Sequence, residues 1–259
     1  MDDAVYQYQH ARSPKELLFQ FTRCMVHFAV DDAQVKFCTR LQGKESWFLP
    51  FNKGYKDGAG NPPNPDGLMT NYLWKQILTK DMLSRIIENY ATLVEEKDEE
   101  TGKTRYKQIF PRYHQLTAVE SLLADVKKNG VGNRYLIQHS AGSGKSNSIA
   151  WLAHQLTGLE DAQGNLLVHS VIVVTDRVVL DKQIRDTIRQ FAQTRNIIAW
   201  AEHSGDLRKA IRTGGALSSR PLKNSRMSSP RLARITRIGI SPSSLTKHIP
   251  AKTERPRAQ

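Results

Sequence analysis

The run Ala141-Gly142-Ser143-Gly144-Lys145-Ser146 is the part of this chain best equipped for chemistry. Glycines permit positive φ and close backbone approach, so successive N–H groups can turn inward on a polyphosphate. A helix that follows adds its positive N-terminal end. Lys145 would then reach the β- and γ-phosphates, and the Ser146 hydroxyl would ligate Mg²⁺. The full spacing G-x-x-x-x-G-K-[ST] is broken at its first place, where His139 stands. A Gly/Ser surface loop capped by Ser140 or Ser143 is the bland alternative. Context favours the phosphate loop.

That context is a strand before the loop and a helix after it. Tyr135, Leu136 and Ile137 form a short apolar run that reads as a buried strand, and Ile149, Ala150, Leu152 and Ala153 recur at helical spacing. Val168-His-Ser-Val-Ile-Val-Val-Thr-Asp176 reads as a second strand covered on both faces. A helix from Arg177 to Ala192 follows, with Val178, Ile184, Ile188 and Phe191 inward, and Asn196–Trp200 is one more short strand. This order opens a parallel α/β sheet. Thr175, Asp176 and Arg177 fall on the rim where such sheets bind ligands. Gln115 stands before an amphipathic helix with Leu116, Val119, Leu122, Leu123 and Val126 on its apolar face. Its amide could accept and donate to an adenine edge at once, or simply be an exposed helix-start residue.

Upstream, residues 1–12 look helical and polar, and the second half of Leu17–Val30 pairs with Gln34–Leu41 as a hairpin turned by Asp31-Asp32. Turn chemistry explains that acidic pair more simply than a metal does. Trp47–Phe51 adds a third extended piece, and Gly54–Gly67 is an irregular loop. Helical spacing runs through Tyr72, Leu73, Ile77 and Leu78, then through Leu83, Ile86, Ile87, Tyr90, Leu93 and Val94. The charged run from Glu95 to Lys103 reads as a solvated connector holding a domain boundary.

The net charge of +13 is concentrated at one end. Ten of the 38 basic residues, but one of the 25 acidic ones, fall between Gly214 and Gln259. That stretch has eight serines, five prolines, no aromatic residue and no valine, too little apolar surface to offset its ordering cost. It reads as a disordered tail, either basic and DNA-binding or, the preferred reading, out of frame. No apolar run approaches the ~20 residues of a membrane span, the N-terminus has no signal-peptide profile, and Cys24 and Cys38 have no metal or redox spacing. A cytoplasmic protein is expected.

Several long runs carry a family resemblance: Arg23-Cys-Met-Val-His-Phe-Ala-Val-Asp31, Phe48-Leu-Pro-Phe-Asn-Lys-Gly54, Phe110-Pro-Arg-Tyr-His-Gln115, Gln138-His-Ser-Ala-Gly-Ser-Gly-Lys-Ser-Asn-Ser-Ile-Ala-Trp-Leu-Ala-His154 and Ser170-Val-Ile-Val-Val-Thr-Asp-Arg-Val-Val-Leu-Asp181. Over residues 3 to about 212 the chain resembles the restriction (R) subunit of type I restriction–modification enzymes. The resemblance implies an α/β chain. Residues 1–95 would be the end of a PD-(D/E)xK nuclease-like domain, 96–107 a linker, 108–212 the first half of a RecA-like superfamily 2 motor domain, and 213–259 the tail. It also implies ATP and Mg²⁺ at Gly142, Ser143, Gly144, Lys145 and Ser146, adenine reading by Gln115, and DNA-backbone contact by Thr175 and Arg177. Gln7 would be a remnant of the nuclease site, although Ala11 departs from the tyrosine usual four residues later. Expected partners are double-stranded DNA and the modification and specificity subunits, with no membrane. Without the acidic motor motif and the second motor domain, the fragment would bind ATP weakly and neither hydrolyse it nor cut DNA. The competing readings are a non-enzymatic DNA-binding or docking fragment, another superfamily 2 helicase-like ATPase, and, last, a small P-loop kinase or GTPase.

Overall fold

The computed structural model describes residues 1–56, 58–97, 102–175, 178–191, 198–200 and 217–221. The chain opens with helix α1 (Asp2–Tyr6), continued by a π-helical turn over Gln7–Ala11. Strands β1 (His27–Val30) and β2 (Val35–Cys38) form the expected hairpin, with β3 (Leu49–Pro50) added antiparallel to β2. Asp31 makes the turn, its Oδ1 accepting from the amides of Ala33 at 2.8 Å and Gln34 at 2.7 Å. Its other oxygen meets the Met1 ammonium at 2.7 Å, which, with the turn amides, holds the carboxyl below its ordinary value against the opposing effect of burial. Among the described residues no group of three His, Cys, Asp or Glu could hold a metal ion, and Gln7 lies exposed on its turn.

A π-helical turn over Leu73–Ile77 leads into α2 (Lys80–Asn89), whose N-cap Thr79 accepts from Met82 N. The helical spacing read through Leu93 and Val94 stops earlier. Both residues belong to β4 (Thr92–Lys97), which pairs antiparallel with β5 (Thr104–Ile109). The first three residues of the charged run, Glu95 to Lys97, therefore belong to a hairpin arm and not to a connector, although Glu95 and Glu96 are solvated as expected; residues 98–101 lie outside the described residues. Charge in this stretch serves cross-strand pairing: the Tyr106 hydroxyl donates to Glu95 at 2.9 Å, and Lys107 meets Glu96 at 3.3 Å.

Beyond the hairpin come α3 (Tyr113–Asn129), α4 (Lys145–Thr157), β6 (Val171–Thr175) and α5 (Val178–Phe191), followed by β7 (Ile198–Trp200) and β8 (Leu217–Pro221). The last three strands make a parallel sheet in the order β6-β8-β7. Strand β8 lies at the start of the stretch read as a tail, where the sequence suggested no element. Val171 and Val173 of β6 are buried, but Val174 is 39% exposed, so the strand is covered more on one face than the continuous apolar run implied.

Side chains from both sides of the β4–β5 hairpin share one hydrophobic cluster. Phe37, Phe51 and Tyr72 belong to it, as do Leu116, Trp151 and Ile188. Phe110, just after β5, packs among Phe28, Phe37 and Phe51, and Tyr113 stands edge-on to Tyr72. Trp151 on α4 donates from Nε1 to the Tyr90 carbonyl at 3.0 Å. It thereby ties the phosphate-loop helix to the upstream half of the chain. Trp151 is 1% exposed, so Trp151→Ala leaves a large cavity and an unpaired carbonyl. Chemical denaturation should show a loss of about 3–5 kcal/mol; a loss below about 1 kcal/mol would contradict the shared core.

Candidate functional site

The loop expected to hold phosphate sits at the head of α4. Gly144 is the N-cap residue, with φ +78° and ψ +33°, and Gly142 has φ +71°. Both lie in the left-handed region, which glycine enters without steric penalty. Lys145 and Ser146 occupy the first turn. With no side chain to cap the helix, its first amides stay available at its positive end. The Lys145 ammonium folds back over the loop and donates to the carbonyls of His139 at 3.1 Å and Ser140 at 2.8 Å. Ser143 is 5% exposed, yet its hydroxyl has no partner among the described residues.

The segment leading into the loop departs from expectation. No regular strand forms at Tyr135–Ile137; Leu136 makes a one-residue bridge and is 80% exposed. A strand needs a neighbour for its amides and a cover for its side chains, and a three-residue apolar run specifies neither. What fixes the segment is α3. Asp125 accepts from Asn129 at 2.7 Å, from Asn133 at 3.3 Å and from the Tyr135 hydroxyl. The Tyr135 and Asn129 hydrogen bonds, in that order, hold the Asp125 carboxyl below its ordinary range.

Gln115 is buried at the N-terminus of α3, 3% exposed, with both ends of its amide engaged. Its Oε1 accepts from the N-cap Arg112 amide at 2.9 Å, as in one half of a capping box. Its Nε2 donates to the Gly144 carbonyl at 2.8 Å. The neighbouring His114 reaches the Ser143 carbonyl through Nε2 at 3.2 Å and stands edge-on to the His139 ring, 4.8 Å away at 82°. Sequence reasoning gave His114 no role; the available signal was its place beside Gln115 in Phe110–Gln115.

The structure thus brings Gln115 together with Gly142, Ser143, Gly144, Lys145 and Ser146. The DNA-contact pair is different. Thr175 ends β6, with its backbone paired to Pro221, while Arg177 lies outside the described residues. As a phosphate cradle the loop is chemically suitable: two left-handed glycines, a helix head, an ammonium and a hydroxyl converge, and among the described residues the ammonium's partners are uncharged carbonyls.

Two outcomes follow. A Cβ at residue 144 would lie 2.5 Å from Gln115 Nε2 and would also force an alanine into the left-handed region. Gly144→Ala should therefore cost about 1–2 kcal/mol, read by thermal or denaturant unfolding; an unchanged midpoint would contradict this packing. Burial is the main cause holding His27, His114 and His139 below 6.5. A histidine with its folded pKa below its unfolded one stabilises the fold above the unfolded value, and that contribution is lost as pH falls towards the folded value. Stability should decline as pH drops below 6.5, and His114→Gln should flatten part of that slope. A steeper slope in the variant would contradict the assignment.

Residues 114–223 match the family model for the SWI2/SNF2 ATPase. The match opens on His114, includes the loop, α4, β6, α5, β7 and β8, and continues past Arg212, where the sequence reading ended the motor portion. Residues 1–113 lie outside it, and no curated protein matches the chain significantly. The family match supports a superfamily 2 helicase-like ATPase motor domain over residues 114–223, which is less than half of the chain.

Proposed function

We propose that this chain binds ATP and Mg²⁺ at the 142–146 loop, as part of a motor acting on double-stranded DNA. The observation that carries the reading is the left-handed Gly144 at the head of α4, immediately followed by Lys145 and Ser146. Amides of residues 142–146 would donate to phosphate oxygens. Lys145 would exchange the uncharged carbonyls of His139 and Ser140 for the anionic oxygens of the β- and γ-phosphates, adding ion pairing to its hydrogen bonds. Ser146 would supply one Mg²⁺ ligand, and the ion's chemistry is to neutralise phosphate charge. Gln115 is the candidate adenine reader, a role that requires its buried amide to release the Arg112 amide and the Gly144 carbonyl, and Thr175 and Arg177 are candidate contacts to the DNA backbone.

The more specific reading is the restriction (R) subunit of a type I restriction–modification enzyme, with residues 1–95 as nuclease-like portion and 108–212 as the start of the motor. It rests on the sequence runs around Arg23, Phe48, Phe110, Gln138 and Ser170. Modification and specificity subunits are its partners. A second reading, favoured by the match over 114–223, is a SWI2/SNF2-type DNA translocase outside restriction. Co-purification with modification and specificity subunits discriminates the two.

Titration of the purified chain with a fluorescent ATP analogue and Mg²⁺ tests the common core of both. Lys145→Ala should weaken binding by about ten- to a hundredfold, the worth of one charge-assisted hydrogen bond. Equal affinity in the two proteins would overturn the proposal.

A further inference from the structure

A peptide's carbonyl and its N–H point in opposite directions, because the unit is planar and trans. Fixing the carbonyl of one loop residue therefore aims the amide of the next. Two consecutive residues at the start of α3 hold two consecutive loop carbonyls in this way: His114 takes Ser143, and Gln115 takes Gly144.

The two grips are not equivalent. The Gly144 carbonyl already accepts helix bonds from Asn147 at 3.1 Å and Ser148 at 3.4 Å, so Gln115 reinforces an orientation that α4 sets. The Ser143 carbonyl lies ahead of the helix, and the His114 ring is its side-chain partner. From this difference, and resting on the phosphate-binding reading above, we propose that His114 is a positioning residue: it turns the Ser143–Gly144 peptide so that the Gly144 amide faces the phosphate. The His139 ring, packed edge-on against His114, limits rotation of the clamping imidazole. For the bond to form, Nε2 must carry the hydrogen, so Nδ1 is the free nitrogen of the neutral ring. The clamp acts on the loop and not on a base, so it serves any polyphosphate equally.

That last property separates it from adenine recognition. In the full chain, His114→Asn places its amide near the Nδ1 position, short of the Ser143 carbonyl, whereas His114→Gln extends it to about where Nε2 was. Calorimetric titration with Mg²⁺·ATP and with Mg²⁺·tripolyphosphate reads the effect, and thermal unfolding of each variant monitors folding. His114→Asn should lose about tenfold in affinity for both ligands, one hydrogen bond's worth, and His114→Gln should recover most of it for both. Gln115→Leu should weaken tripolyphosphate less than His114→Asn does. A loss confined to ATP would overturn the clamp in favour of base contact, as would equal affinities for the Asn and Gln variants. Failure of the unmodified chain to bind either ligand would overturn the nucleotide reading and the clamp with it. Binding by the unmodified chain with no loss in His114→Asn would overturn the clamp alone.

Discussion

The left-handed backbone at Gly144 is the constraint on which the site depends. A helix can begin there only if the chain arrives at an angle that ordinary residues resist, and that angle leaves the first amides of α4 pointing out of the helix mouth. The position is doubly restricted, because the space a side chain would need is filled by the Gln115 amide. Glycine is thus required by conformation and by packing together. The loop's shape is consequently set before any ligand arrives, and preorganised donors lose little on binding.

Preorganisation of this kind has to be anchored elsewhere. Helix α3 holds both approaches to the loop: its first turn grips the Ser143 and Gly144 carbonyls, and Asp125 further along ties down Asn133 and Tyr135. Helix α4 is secured by Trp151, whose ring packs against Tyr90 and Phe191 and whose N–H caps the Tyr90 carbonyl. Through Tyr90, which also donates to Glu120 at 2.6 Å, the upstream half supports α3 and α4 at once. A site borne on helices that share one buried cluster resists distortion better than one carried by a free loop.

Much of this was legible in the sequence. The hairpin turned at Asp31, helices α3, α4 and α5, strand β6 and the short strand ending at Trp200 follow from local periodicity and turn chemistry, both properties of neighbouring residues. What was not legible depends on residues far apart in the chain. Whether Tyr135–Ile137 becomes a strand is decided by what lies beside it, and its exposed Leu136 records that no regular ladder forms there. Glu95 and Glu96 looked like connector residues until paired with Tyr106 and Lys107 across the hairpin. His114 could not be assigned because its partner is 29 residues away. The resemblance grouped Gln115 with the loop residues that it touches, while the internal bonds of Gln115 emerge only from three-dimensional structure.

Backbone amides at 142–146 are the proposed donors to a nucleotide's phosphates. Amide resonances of the ¹⁵N-labelled chain report on that directly, during titration with Mg²⁺·ATP and, as control, with adenosine. Large shifts are expected at Gly144, Lys145 and Ser146 with the triphosphate and none there with the nucleoside. Shifts confined to other parts of the chain, with these three amides unmoved, would contradict that role.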